Sequence, residues 1–216
     1  EAILKFILGV LSVGLLIFIP ANTINYPNGW LLMVLLFIPM FIAGIIMMIK
    51  SPDLLKSRLN VKEKEKTQKD VVALSGIMFL IGFIVAGLDY RYNWTQIPNI
   101  ITIIASIIFI LSYIFYAEVL RENIFLFRTI EVKKNQKLVD TGLYKIVRHP
   151  MYSVTIFLFL SMPLILGSFI SFIIFLAYPF IIIKRINNEE QVLEKELKGY
   201  KEYKNKVKYK IIPYIW

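Results

Sequence analysis

The chain has 216 residues, of which 57% are hydrophobic and 19% are charged, and its formal net charge is +10. A soluble domain of this length carries more charge and shorter apolar runs, so the composition excludes an ordinary soluble protein. Cysteine is absent and there is one histidine, which excludes disulfides and thiolate metal sites and argues against any bound metal or haem.

Four long runs carry no charged side chain, at 6–49, 71–88, 92–117 and 151–183. A transmembrane helix needs about 20 apolar residues. The runs therefore predict an all-α fold, a polytopic transmembrane helical bundle. In chain order, the first four predicted spans cover 2–19, which Pro20 closes, then 30–49, 71–88 and 99–120.

The run at 151–183 is too long for one crossing, because a helix of that length measures roughly 50 Å against a hydrocarbon core of about 30 Å. Pro163, Gly167 and Ser168 provide a break near its middle. We therefore predict a helical hairpin, which either crosses the membrane twice or stops short of the far side. A full hairpin gives about six crossings with both termini in the cytoplasm.

The positive charge is concentrated in three segments, since 23 of the 25 Lys and Arg residues lie in 50–69, 121–148 and 184–210. The positive-inside rule places all three in the cytoplasm. We expect a multi-pass protein of a prokaryotic cell membrane whose basic face meets lipid headgroups. No nucleic-acid-binding motif accompanies the charge, so nucleic acid is not an expected partner.

The segment that follows the hairpin predicts an amphipathic helix through 186–207, with apolar residues at spacings of three, four and seven. Glu189 and Glu190 fall along its apolar stripe, where a carboxylate is costly without a partner. Arg185 lies one turn before Glu189. Two interpretations stay open, a simple Arg–Glu pair with a snorkelling arginine or a functional site.

The segment 141–152, TGLYKIVRHPMY, holds the single histidine, His149, between Arg148 and Pro150. Proline favours a bend and the first position of a new helix. Tyr144 and Tyr152 bracket the bend. These residues could merely anchor a helix end, but the hairpin should bring His149 close to Glu189. We therefore divide the chain into N-terminal helices (1–120) and a catalytic region (121–216).

At these residues the chain resembles the isoprenylcysteine carboxyl methyltransferase-like membrane methyltransferases, which include phospholipid methyltransferases. The resemblance rests on the pattern from Gly142 to Tyr152, on Arg185-x-x-x-Glu189-Glu190, and on Gly199-Tyr200-x-x-Tyr203. It implies a cytoplasmic S-adenosylmethionine site and a lipophilic or membrane-delivered methyl acceptor. The implied cofactor-binding residues are Gln136, Lys137, Leu138, Val139, Tyr144, His149, Pro150, Met151, Tyr152 and Glu189.

The resemblance also implies that Arg185 faces the acceptor. If the acceptor is an amine or a thiol, a base must remove its proton, and His149 or Glu190 is the candidate. The acceptor stays open among an isoprenylcysteine carboxylate, a phospholipid amine and a small thiol. Two other functions also stay open, an NADPH-dependent sterol-reductase-like enzyme and a non-enzymatic membrane scaffold.

Overall fold

The structure is a computed structural model that describes residues 2–59, 66–123 and 136–216. The described residues are predominantly helical, and parts of two predicted basic segments, residues 60–65 and 124–135, lie outside them. The helices are α1 (Ala2–Ala21), α2 (Pro27–Lys50), α3 (Pro52–Leu59), α4 (Lys66–Tyr92), α5 (Asn99–Glu122), α6 (Pro150–Ile165), α7 (Phe169–Phe175), α8 (Ala177–Glu196) and α9 (Tyr200–Lys206), with a 3₁₀ turn at Gly142–Lys145.

Among the residues that the structure describes, five helical segments are long and apolar enough to cross a membrane, namely α1, α2, α4, α5 and the combined segment Phe169–Glu196. Their outward faces are apolar, with Leu11 55% exposed and Phe180 74% exposed. Such surfaces suit contact with lipid and confirm the predicted polytopic helical fold. Helix α6 has 16 residues, about 24 Å at the usual rise, so the count of six crossings stays a prediction.

Different contacts hold the helices together at each of the two ends of the bundle. At one end, Lys5 Nζ donates to the Leu59 carbonyl (3.1 Å) and Arg58 Nη1 donates to the Tyr116 hydroxyl (2.6 Å). These bonds bring the start of α1, helix α3 and the end of α5 together. Gln68 Nε2 of α4 also donates to Asn188 Oδ1 of α8, so the described parts of the three predicted basic segments gather at a single end of the molecule, which we call the basic end.

The predicted hairpin is present, with α6 as its first arm and α7 followed by α8 as its second. Its tip lies at the other end of the bundle, where Ser168 Oγ donates to Asp89 and Tyr26 donates to the Leu166 carbonyl (2.5 Å). Helix α7 ends at Phe175, whose carbonyl would be the i−4 acceptor of Pro179. Proline has no N–H to donate, which accounts for the break at Leu176.

The helices extend beyond several of the predicted spans. Pro20 does not end α1, which continues to Ala21 and stops at Asn22, where φ is 54°. A proline removes one bond to the preceding turn without forcing the chain to turn at once. Helix α4 begins at Lys66, inside the predicted basic segment 50–69, because Lys and Gln are good helix formers that add a turn beyond the membrane.

The predicted amphipathic helix through 186–207 is interrupted. Helix α8 ends at Glu196, and α9 begins at Tyr200 after Gly199, which has φ 85°. The chain leaves the helix at Leu197, whose backbone is extended, and Gly199 then adopts a left-handed conformation that glycine takes without a side-chain clash. The break turns α9 back so that Tyr200 and Tyr203 join a cluster of buried residues with Val119, Tyr144, Val154, Leu197 and Val207.

Candidate active site

The Arg-His-Pro motif lies at the basic end, where it is held by the C-terminal segment. The backbone N–H groups of Arg148 and His149 donate to the carbonyls of Tyr209 (2.9 Å) and Lys210 (2.8 Å). His149 is the N-cap residue of α6 and Pro150 takes the first helical position, as the sequence predicts. Because both residues are fixed through their backbones, their side chains project from a rigid bend.

A buried carboxylate organises the charges around this bend. Glu190 of α8 accepts from Arg148 Nε at 2.7 Å and contacts His149 Nε2 at 3.2 Å. Its second oxygen lies 3.4 Å from Lys210 Nζ and 3.8 Å from Lys204 Nζ. The Arg148 guanidinium also donates to the carbonyls at 207 (2.7 Å) and 208 (2.8 Å). This network satisfies a buried ion pair that would otherwise be costly.

A second chain of polar contacts begins at Glu189, the residue next to Glu190 on α8. Tyr152 donates to Glu189 Oε2 (2.5 Å), and Arg185 Nε donates to the Tyr152 hydroxyl (2.8 Å). Arg185 is only 9% exposed and Tyr152 5%, so this chain is largely screened from water. The two carboxylates therefore have separate partners. Glu190 contacts Arg148 and His149, whereas Glu189 accepts a hydrogen bond from Tyr152.

Tyr144 approaches the same end from the 3₁₀ turn. The turn is anchored on α5, since Leu143 N donates to Glu122 Oε2 (2.9 Å) and a Cβ at Gly142 would collide with that carboxylate. The Tyr144 hydroxyl accepts from Asn123 Nδ2 (3.0 Å), and its carbonyl accepts from Tyr203 (2.7 Å). Burial raises the pKa of Tyr144 above its ordinary value, so the phenol stays protonated.

Tyr200 carries a hydroxyl that is buried without a hydrogen-bond partner in the described part of the chain. Burial raises the pKa of this phenol, and the charges of Glu190 and Glu189 raise it further. The hydroxyl therefore stays protonated and is available as a hydrogen-bond donor. An unsatisfied buried donor is unfavourable and points to a missing acceptor.

The structure brings most of the sequence-predicted site residues to the basic end. Leu138, Val139 and Met151 pack against the buried cluster that contains Tyr144 and Tyr200. Lys137 is exposed, and Gln136 is partly buried. The predicted proximity of the hairpin's two ends is confirmed, although the described contacts of His149 are with Glu190 and those of Glu189 are with Tyr152.

Sequence reasoning missed several residues of this region, namely Arg58, Asn123, Glu122, Lys204 and Lys210. The lysines are members of a long basic run, and nothing in their spacing separates them from their neighbours. The described residues contain no group of three His, Asp or Glu side chains that could hold a metal ion.

These features define a polytopic helical membrane protein with a buried, ion-paired polar site at the basic end. Residues 102–195 match the isoprenylcysteine carboxyl methyltransferase (ICMT) family. This region contains the Arg-His-Pro motif and both carboxylates, so the family match covers the candidate site. The match confirms the predicted resemblance and favours a methyltransferase over the reductase and scaffold alternatives.

The fold is similar to a solved structure of the eukaryotic intramembrane Ras methyltransferase, isoprenylcysteine carboxyl methyltransferase, without a monobody. The two chains superpose with a TM-score of 0.59 at 20% sequence identity, and the match covers 95% of this chain and 73% of the other. At that identity the likeness establishes the fold. No curated protein sequence matches the chain significantly.

Proposed function

We propose that the chain transfers a methyl group from S-adenosylmethionine to the carboxylate of an isoprenylcysteine-like acceptor delivered through the membrane. The observation that carries this proposal is the buried chain Arg185–Tyr152–Glu189, next to the ion-paired Arg-His-Pro motif and inside the matched family region. The basic end would face the cytoplasm, as the positive-inside rule predicts.

The described residues fit S-adenosylmethionine. This molecule carries an ammonium group, a carboxylate and an adenine ring, and its sulfonium supplies the methyl group for in-line displacement. The Glu189 carboxylate is partly buried and suits an ammonium group by a charge-assisted hydrogen bond. The Tyr200 hydroxyl lacks an acceptor within the described residues, and a bound ligand at this end would supply one.

Arg185 is the residue that we assign to the methyl acceptor. Arg185 Nε donates a hydrogen bond to the Tyr152 hydroxyl at 2.8 Å, and this bond fixes the orientation of the guanidinium plane. A planar guanidinium orients a carboxylate by paired hydrogen bonds. A carboxylate acceptor is already deprotonated at neutral pH, so orientation and desolvation can supply much of the acceleration without a base.

If the acceptor is an amine or a thiol, we assign the removal of its proton to His149. Glu190 is paired with Arg148 at 2.7 Å, and a carboxylate neutralised in this way is a weak base. Glu190 instead accepts a hydrogen bond from His149 Nε2–H (3.2 Å). That bond leaves Nδ1 as the basic nitrogen of the neutral imidazole.

The proposal is tested with Arg185→Lys, assayed for methyl transfer to a farnesylated cysteine and, in parallel, to a phospholipid extract. Lysine keeps the charge but loses the planar fork. We expect more than tenfold lower transfer, about 1.4 kcal/mol of transition-state stabilisation, with the affinity for S-adenosylhomocysteine nearly unchanged. Lys198→Gln, at an exposed position of the same segment, is the control.

Activity of Arg185→Lys within about twofold of the parent would show that the arginine only anchors a helix end. Exchanging arginine for lysine in a simple ion pair costs little free energy. Methylation of the phospholipid extract alone would replace the proposed acceptor with a lipid amine. Failure of the parent to bind S-adenosylhomocysteine in isothermal titration would overturn the proposed cofactor.

A further inference from the structure

Helix α3 has no part in the proposed reaction, yet it brings an arginine to the basic end. Arg58 donates through Nη1 to the Tyr116 hydroxyl at 2.6 Å, and its guanidinium carbon lies 5.5 Å from the centre of the Tyr116 ring. Tyr116 in turn packs against the buried cluster that contains Tyr144 and Tyr200. Arg58 is therefore part of the wall of the site region and not a freely solvated side chain.

The remaining nitrogens of this guanidinium are unsatisfied. Arg58 Nε and Nη2 are buried and have no hydrogen-bond partner among the residues that the structure describes. An arginine donor that is buried without an acceptor carries a larger penalty than a neutral one. Two adjacent guanidinium donors have the geometry that binds both oxygens of a carboxylate or a phosphate.

The position of Arg58 indicates where such an oxyanion would come from. Helix α3 follows α2 directly, after Lys50 and Ser51, and Lys5 at the start of α1 donates to the carbonyl of Leu59. Arg58 therefore lies where two long apolar helices leave the hydrocarbon layer. At this depth the anionic groups are those of membrane amphiphiles.

The charge of Arg58 also reaches the candidate active site. It acts to lower the pKa of Tyr144, against the larger effect of burial, which raises it. Tyr144 is held by Asn123 at the end of α5, the same helix that carries Tyr116. Because Tyr116 packs against the buried cluster that contains Tyr144, an anion on Arg58 would lie near that cluster, which holds a tyrosine that the family resemblance assigns to the cofactor.

We propose that Arg58, with Tyr116, binds the oxyanion of a membrane amphiphile at the entrance to the site, between α3 and α5. Two sources share this chemistry, the carboxylate of the methyl acceptor and the phosphate of a bilayer lipid. The acceptor source rests on the proposed function, whereas the lipid source does not. In the acceptor case Arg58 would hold the carboxylate at the entrance before it moves on to Arg185, which remains the residue at the reacting group.

The test measures binding of two probes to the parent and to Arg58→Gln in detergent. The first probe is a farnesylated cysteine with a free carboxylate, compared with its methyl ester, which lacks the anion. The second is short-chain phosphatidylglycerol, followed by the rise in thermal midpoint that it produces. S-adenosylhomocysteine affinity is measured in every variant, so that failure of the proposed cofactor site is recognised separately.

For the acceptor source, we expect the parent to bind the acid about tenfold more tightly than the ester, as one charge-assisted contact provides. Arg58→Gln should reduce that difference several-fold, because only the contact with Arg185 remains. For the lipid source, phosphatidylglycerol should stabilise the parent and not Arg58→Gln. Arg121→Gln removes the same charge from the end of α5, where the side chain is 74% exposed and paired with Glu118, and should behave like the parent.

Arg58→Lys keeps the positive charge and provides a second variant if Arg58→Gln does not fold. We expect it to lose several-fold in oxyanion binding, because an ammonium group cannot form the two-pronged contact. The proposal is overturned if the Arg58 variants bind both probes like the parent, or if the parent discriminates neither probe. A loss confined to S-adenosylhomocysteine would assign Arg58 to the cofactor and would also overturn it.

Discussion

At the scale of single residues, the two adjacent glutamates have different roles because they have different partners. Glu190 is enclosed by Arg148 and His149, with two lysines near its other oxygen. Glu189 contacts the Tyr152 hydroxyl, and that hydroxyl connects it to Arg185. We propose that the first arrangement stabilises the bend of the motif and that the second presents a carboxylate to the cofactor.

Replacing Glu190 by glutamine should destabilise the protein strongly. The change leaves the Arg148 guanidinium buried without a counter-charge, where the side chains of the pair are 4% and 6% exposed. Removal of one partner of a buried pair costs about 3–5 kcal/mol. Thermal unfolding in detergent measures the loss.

Glu194→Gln is the matched control for that experiment, because Glu194 pairs with Lys204 at side-chain exposures of 32% and 40%. A half-exposed pair contributes about 0–1 kcal/mol. Equal destabilisation of the two variants would contradict the structural role that we give to Glu190.

Replacing Glu189 by glutamine, or His149 by alanine, should weaken cofactor binding. Loss of one charged hydrogen bond costs about 1.5–3 kcal/mol, or roughly tenfold to more than a hundredfold in affinity. Isothermal titration with S-adenosylhomocysteine measures the change, and Glu196→Gln, at an exposed position on the same helix, serves as the control. Parent-like binding by both variants would show that the cofactor lies elsewhere.

At the scale of elements, the hairpin joins the two ends of the bundle. Its arms pack through Phe159 and Tyr178, whose ring centres are 4.7 Å apart, and Tyr178 donates to Thr155 at 3.1 Å. Its tip is fixed by Ser168, which accepts from Ser171 N at 3.1 Å and donates to the buried Asp89. Because both arms are fixed at the tip, Tyr152 and Glu189 meet at the basic end.

Ser168→Ala should therefore destabilise the fold without changing cofactor affinity. The variant loses the N-cap of α7 and a hydrogen bond to a carboxylate, together about 1–3 kcal/mol. Ser106→Ala, which removes only a bond to the Thr102 carbonyl in its own helix, should be nearly neutral. Thermal midpoints and S-adenosylhomocysteine titrations should separate the two effects, and a large drop in affinity would contradict the assignment of the tip to the far end.

At the scale of the whole molecule, one end is basic and carries the candidate site, while the other is built from short turns. Tyr26 stacks on Tyr90 with ring centres 3.9 Å apart, and Tyr90 donates to the Asn25 carbonyl at 2.6 Å. These contacts join the α1–α2 and α4–α5 turns. The hairpin tip lies beside them, bonded to Asp89 and Tyr26.

Single cysteines placed at the two ends should be labelled from opposite sides of the membrane. The sequence contains no cysteine, so each introduced thiol is the only target. We expect Asn205→Cys on the exposed end of α9 to react from the cytoplasm, and Asn25→Cys and Phe169→Cys from outside. Cytoplasmic labelling of Phe169→Cys would reduce the number of crossings to four, and external labelling of Asn205→Cys would overturn the orientation.

The sequence by itself determined the membrane class, the approximate spans and the hairpin. These are properties of single segments, because apolar length and charge act on each helix as it enters the bilayer. It also located the Arg-His-Pro bend, since Pro150 imposes a helix start on its own neighbours. The hairpin then implied that the ends of its arms would meet.

The tertiary structure decided which side chains pair. Adjacent residues on a helix differ by about 100° in direction, so a small rotation of α8 selects whether Glu189 or Glu190 faces the motif. The C-terminal segment fixes that choice by accepting hydrogen bonds from the backbones of Arg148 and His149. Gly199 then turns α9 back so that its tyrosines pack beside the site. Arg58 joins the site region through Tyr116, 58 residues away in sequence, a contact that no local pattern encodes.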